Sequence, residues 1–253
     1  MVDWISHRCG VRQLRGAGWG AVIASGLWIV LCYADSFALP SANDTSEQAP
    51  IVSKGPLRGP YDRLAGGEEA LARYANTGDR VALIEARETL SAVGGQFSSK
   101  TLKTGSVDIS DVVAFARFSN LMFRYTGQEA FRRQAEESLR FMRDDHRPLS
   151  VEEMNSLQQA EEELLSSPLH ITVVGGKDDL RAQQLWKEAV RVNEKYIRRE
   201  WWDRREGALS NPDVRYPQLG APAAFVCVDS KCSVPLFTVD ELRERLAQRM
   251  VAN

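Results

Sequence analysis

Four cysteines and three histidines in 253 residues are scant material for a metal site. No Cys-x-x-Cys pair occurs, so the usual redox signature is missing. Neither G-x-G-x-x-G nor G-x-x-x-x-G-K-S/T is present, so the common glycine loops for dinucleotides and phosphates are missing too. Charge of one sign is also lacking. The 32 Lys and Arg against 34 Asp and Glu leave a net charge of −2. Such a balance creates no field that gathers polyanions, which argues against general nucleic-acid binding. What remains is 43% hydrophobic and 26% charged, an ordinary globular composition. It excludes a collagen, a coiled-coil rod, a polytopic membrane protein and wholesale disorder.

One apolar run stands out. After Arg8, Arg12 and Arg15, the 19 residues from Gly16 to Ala34 hold no Asp, Glu, Lys, Arg or His. A basic start, an apolar centre and small residues beyond it form the three parts of a secretory signal. Ser36-Phe37-Ala38 offers the preferred cut, after Ala38, with Pro40-Ser41-Ala42 as a poorer one. The competing reading is an uncleaved anchor, since a span needs roughly 20 apolar residues. Either way the expectation is an exported chain, periplasmic or secreted, that touches a membrane only through residues 16–34 if they are retained. Residues 1–38 are therefore read as signal peptide or anchor. Residues 39–60, rich in Pro, Ser and Gly and without apolar period, are read as a flexible linker.

From about residue 61 the pattern turns helical and repeats itself. Thr77-Gly78 returns as Thr126-Gly127, an offset of 49 residues. At the same offset Tyr74 meets Phe123, Ala86 meets Ala135, Glu88 meets Glu137 and Leu90 meets Leu139. Ala82, Ala86, Leu90 and Val93 form one apolar stripe, and Phe131, Ala135, Leu139 and Met142 form its copy. That spacing is one face of a helix, written twice. Phe115, Phe118, Met122 and Tyr125 share the face of the preceding helix, which Gly127 can end in a left-handed cap. The unit is an αα-hairpin, and stacked hairpins share a core. Ser150 and Glu153 then spell a capping box for one more helix, stopped by Pro168. Residues 61–167 are read as this helical region.

Residues 168–253 change class. His170 to Val174 is a β-branched run followed by Gly175-Gly176, and Asp178 or Asp179 can cap a helix running to about Ile197. Ala223 to Val228 reads as a second strand. Strand, helix, strand predicts a βαβ-type crossover with parallel pairing. Without a phosphate-loop motif the two glycines read as a turn. Cys227 and Cys232 flank a four-residue turn, and outside the cytoplasm such a pair is expected to oxidise. A loop this small contributes about 2 kcal/mol, a structural bridge rather than a catalytic pair. Thr238 and Glu241 spell a second capping box, for the last helix. The fold class expected is mostly α with a small α/β C-terminal part.

Phe225-Val-Cys227, Cys232, Pro235 and Asp240-Glu-Leu242 resemble the tail of the thioredoxin-domain-containing spermatogenesis-associated family and its bacterial relatives. Ile171 to Gly175 with Asp178-Asp179 resembles the segment before that tail, and Ser106 to Met142 resembles the family's last toroid helices. The resemblance implies αα-hairpins forming a fragment of an (α/α)6 toroid, as in sugar epimerases and glycosidases. The family's thioredoxin-like domain has no counterpart here, and about four toroid-type helices stand against the twelve of a full ring. The chain looks like the C-terminal third of the family, exported alone.

Three functions follow from these readings. The first is a non-catalytic structural or interaction module, docking a protein partner or a second copy, with Trp201 and Trp202 among arginines as interface candidates. The second is a carbohydrate-active toroid enzyme, epimerase- or glycosidase-like, for which His146 and His170 are the weak acid–base candidates. The third is thiol redox through Cys227 and Cys232. No residue pattern calls for a cofactor or a metal.

Overall fold

Each Thr-Gly pair ends one helix and opens the way to the next in the computed structural model, which describes residues 60–102, 108–145, 147–228 and 231–252. The N-terminal signal or anchor, residues 39–59 of the linker and His146 lie outside the described residues. Helix α1 (Pro60–Thr77) folds back as α2 (Arg80–Val93), and after a 3-10 turn and the single-turn α3 (Ser99–Leu102) the motif recurs as α4 (Ile109–Thr126) and α5 (Glu129–Asp144). Gly78 and Gly127 both take left-handed backbone, at φ 70° and 68°, a conformation that other residues enter at a cost. Their amides cap Tyr74 and Phe123 carbonyls at 2.7 Å each. The threonines explain the other half of the motif. Thr77 donates to the Arg73 carbonyl and Thr126 to the Met122 carbonyl, both at 2.7 Å. Each hydroxyl also accepts the amide two residues on, from Asp79 and Gln128. One dipeptide thus closes the helix and turns the chain.

The two stripes are buried as the period requires. Ala82, Ala86, Leu90 and Val93 from α2, and Phe131, Ala135, Leu139 and Met142 from α5, are all buried. All but Ala135 belong to one core with the inner face of α4, where Phe97 stacks on Phe115 at 4.3 Å and Tyr74 meets Tyr125 edge-on at 5.4 Å. Helix α6 (Val151–Leu165) begins in the capping box of Ser150 and Glu153. It lies against α4, with Arg117 of α4 gripping Glu163 through two hydrogen bonds of 2.8 and 2.7 Å.

The chain then builds a mixed sheet in the order β2-β1-β3-β4. Strand β1 (Leu169–Val174) is followed by α7 (Leu180–Arg191), capped by Asp179, and by β2 (Ile197–Trp202), which returns parallel to β1. The fold class is therefore mostly α with a small α/β part, and the βαβ unit is present with a different second strand. The helix expected to reach Ile197 stops at Arg191. The strand at β3 (Ala223–Val228) runs antiparallel to β1, not parallel. Residues 197–202 read Ile-Arg-Arg-Glu-Trp-Trp, half charged, so hydropathy hides a strand whose polar side chains find partners only in the folded sheet. Once β2 completes the crossover, residues 203–222 carry the chain back and β3 enters from the opposite end.

Strand β4 (Lys231–Cys232) pairs with the end of β3, and α8 (Val239–Ala252) starts in a second capping box, Thr238 with Glu241. Helices α7 and α8 cover one sheet face over Leu169, Ile171, Val173, Ala224 and Val226. Residues of the 203–222 segment cover the other.

The helix ends and the sheet are joined by capping. Trp186 donates to the Asn76 carbonyl, Lys177 to the Gly78 carbonyl and Asn211 to the Arg124 carbonyl, at 2.9, 2.9 and 2.8 Å. The last-turn acceptors of α1 and α4, or the residue just beyond, thus find donors in the α/β part, as helix termini require. Space is tight at these joints. A Cβ on Gly78 would lie 2.8 Å from Cβ of Trp201, and one on Gly127 would lie 2.9 Å from Oδ1 of Asn211. The first neighbour is anchored to backbone and the second is a side-chain tip. Gly78→Ala should therefore cost about 2–4 kcal/mol, left-handed strain plus overpacking, and Gly127→Ala about 1–2 kcal/mol. Guanidinium melts that reverse this order would show that the Gly78 joint yields.

Candidate functional site

Strand alternation puts His170 and Thr172 of β1, Arg198 and Glu200 of β2, and Phe225 and Cys227 of β3 on one face of the sheet, beneath the 203–222 segment. Four of them form a polar cluster. Glu200, with no exposed surface, accepts from the Arg198 guanidinium at 2.7 Å and meets Nε2 of His170 at 2.8 Å. Arg198, 2% exposed, reaches on to Asp213 at 2.7 Å and to the Asn211 carbonyl at 3.1 Å. Thr172 sits 2.9 Å from the same His170 nitrogen and 2.7 Å from the Tyr216 hydroxyl. Beside a guanidinium the carboxylate oxygen accepts, so Nε2 is assigned the ring proton. The chain of contacts runs from the exposed carboxylate of Asp213 through a buried ion pair to Tyr216, which caps the sheet.

The phenols around this cluster are poor proton carriers. Burial pushes the Tyr216 and Tyr74 hydroxyls well above the usual range, and burial pushes Tyr125 up to about 12. All three stay neutral at physiological pH. Tyr125 instead closes the outer edge of β2, accepting the Arg199 amide at 3.0 Å. An edge strand's free amides invite pairing with other strands, and this one is covered.

Two depressions flank the cluster. One, of about 330 Å³, is lined by Asp213, Tyr216, Phe225, Cys232, Ser233 and Pro235. The other, of about 310 Å³, lies where β1 and β2 end, at Gly175, Gly176 and Asp203. Its anion-binding groups are already taken. Asp203 accepts the Lys177 amide at 3.0 Å and pairs with Arg205, which also holds Asp178. Those hydrogen bonds, that from Arg205 first, hold the Asp203 carboxyl well below the usual carboxylate range. Lys177 itself is engaged by Gly78 and Glu206. The Gly175-Gly176 turn is packed rather than open: a Cβ on Gly175 would lie 2.8 Å from Pro222.

The cysteines foreseen as a bridge are bonded: Cys227 and Cys232 face each other across β3 and β4. Of the two interface candidates, Trp201 is the buried one. Alternation along β2 turns it inward, where it packs on Trp186 at 5.2 Å and donates to the Gly175 carbonyl. Trp202 points to the opposite face, half-buried, with Arg204 4.7 Å over its ring and its own N–H on the Gly207 carbonyl. His170 is tied into the ion cluster. Arg198, Glu200, Thr172, Asp213 and Tyr216 were not singled out in the sequence. The signal for Arg198 and Glu200 was their two-residue spacing, legible only once 197–202 is read as a strand in register with His170 and Thr172.

Among the described residues no helix is long and apolar enough to cross a membrane, and no group of three His, Cys, Asp or Glu side chains is placed to hold a metal ion. Comparison with protein-family models, with curated proteins and with solved structures finds no match to the chain.

Proposed function

We propose that the chain is an exported, non-catalytic interaction module, built like the last hairpins and α/β tail of the thioredoxin-domain-containing spermatogenesis-associated family. The observation carrying this reading is the buried polar cluster, although Nε of Arg198 and Oε1 of Glu200 find no partner in it. The ionisable groups on the polar sheet face, His170, Arg198 and Glu200, are tied to one another and to Asp213, fastening the covering segment onto the sheet. Groups held this way are positioned for cohesion rather than for a substrate. Two outer helix faces add support for a partner: α2 exposes Val81 and Ile84, and α6 exposes Val151 and Met154. Paired apolar residues on outward faces suit docking of a partner or second copy. The family reading is supported by element order, with two hairpins, a strand and Gly-Gly turn, a helix, and then the Cys hairpin and the last helix.

Export and assembly are tested separately. Residues 1–45 fused to a periplasmic reporter should carry it across the membrane, and the mature chain should begin near Leu39 or Asn43 by mass spectrometry. A carbonate-resistant full-length product would establish the anchor instead. Sedimentation of the mature chain should show self-association, or a stoichiometric complex with an exported partner, that Ile84→Asp or Met154→Asp weakens. Turnover of glycosides or epimerisable sugars by the strict monomer would overturn the non-catalytic reading.

A further inference from the structure

The disulfide is asymmetric. Cys227 is 2% exposed and lies beneath the covering segment, packed with Phe225, Val174 and Ala223. Cys232 is exposed on β4 and lines the 330 Å³ groove with Tyr216, Phe225 and Pro235. The strands around it are also held by backbone pairing. Strand β3 is paired with β1 along five residues, from His170–Cys227 to Val174–Ala223. The chain beyond Cys232 is tied back by backbone bonds from Ser233 to Val226 at 2.9 Å and between Ala224 and Leu236 at 2.8 and 2.9 Å. One sulfur lies at the wall of a groove and the other is shielded, so attack is open from one side only.

We infer that the Cys227–Cys232 disulfide is exchangeable, opened at Cys232 by an external thiolate that enters along the Tyr216–Phe225–Pro235 groove. The incoming thiolate attacks Sγ of Cys232, and the new S–S bond forms as the Cys232–Cys227 bond breaks. The electron pair leaves on Sγ of Cys227, which takes a proton from solvent. A second thiol of the attacking molecule, or a second molecule, then displaces Cys232. The external pair leaves as a disulfide, two electrons have entered this chain, and both its cysteines are thiols. Attack at the buried Cys227 is closed by the covering segment. The rate of such exchange depends on access and on which sulfur is attacked. This inference stands on the groove and the burial of the two sulfurs, independently of export or partner docking.

The test is a thiol-exchange assay on the folded chain. Native protein is incubated with glutathione, quenched with an alkylating reagent and mapped by mass spectrometry, with far-UV circular dichroism recorded alongside. The expected result is a glutathione adduct on Cys232 about tenfold or more above any on Cys227, with an unchanged spectrum. A peptide carrying a Cys-x-x-Cys dithiol serves as the second arm. If it reacts faster than glutathione at equal thiolate, the attacking thiolate belongs to a protein dithiol; the reverse order assigns it to a small thiol. An equal share of adduct on the two cysteines, or no adduct until urea unfolds the chain, overturns the inference. A second measurement guards against misfolded variants. In Cys227→Ser the remaining Cys232 thiol should alkylate at the rate of a free thiol. In Cys232→Ser the Cys227 thiol should be protected in the fold and released by urea.

Discussion

Replacing Glu200 by Ala should remove about 3–5 kcal/mol of stability, a large part of what a domain of this kind possesses. Glu200 is fully buried and answers both Arg198 and His170. Its loss strands a guanidinium that is 2% exposed, whose other carboxylate, Asp213, is half in water. An uncompensated buried cation is the expensive case, whereas removing both charges is mild. The double variant Arg198→Met with Glu200→Leu should therefore recover most of the loss, since apolar groups of similar volume match or exceed a buried ion pair. Asp213→Asn removes only a partly solvated partner and should cost no more than about 1 kcal/mol. Urea unfolding of the four proteins measures all of this. If Glu200→Ala loses less than about 1 kcal/mol, Arg198 is not left uncompensated and the cluster contributes little to stability.

This cluster marks the boundary of what the sequence discloses. The helical hairpins were legible because their causes are local. A Thr-Gly pair fixes the helix end, a 3.6-residue apolar period fixes the buried face, and Ser150 with Glu153 fixes a helix start within one turn. The cysteine hairpin was legible for the same reason, its two sulfurs belonging to residues only five positions apart in sequence. Strand β2 was not. Arg198, Arg199 and Glu200 look like the solvated end of a helix until each is seen with a partner distant in sequence. Arg198 needs Asp213, Glu200 needs His170, and Arg199 needs the Tyr125 hydroxyl for its amide and the Ala189 carbonyl for its guanidinium. Those partners are supplied by topology, and a periodicity argument has no access to them. The direction of β3 is hidden for the same reason: the half-charged crossover strand β2 lies between the two strands that hydropathy marks.

The repeat allows one more prediction, in which two sites 49 residues apart should behave alike. Leu90 and Leu139 occupy the same place in their hairpins, and both are buried, 0% and 2% exposed. Truncating either to Ala should cost about 2–5 kcal/mol, the transfer term of the lost atoms plus the cavity left behind. Where each value falls in that range depends on how far the surroundings relax. The shared core is dense in rings, with Phe97, Phe115, Phe118 and Tyr125 all buried, and rings close poorly around a small void. Both losses should accordingly sit in the upper half of the range, while Arg140→Ala, one residue on and exposed, should stay within about 0.5 kcal/mol. The measurement is the denaturant midpoint at constant slope, so that stability is separated from changes in the unfolded state. A loss below about 0.5 kcal/mol at Leu139 with a full loss at Leu90 would mean that the second hairpin does not bury its stripe, and that the two units do not share one core.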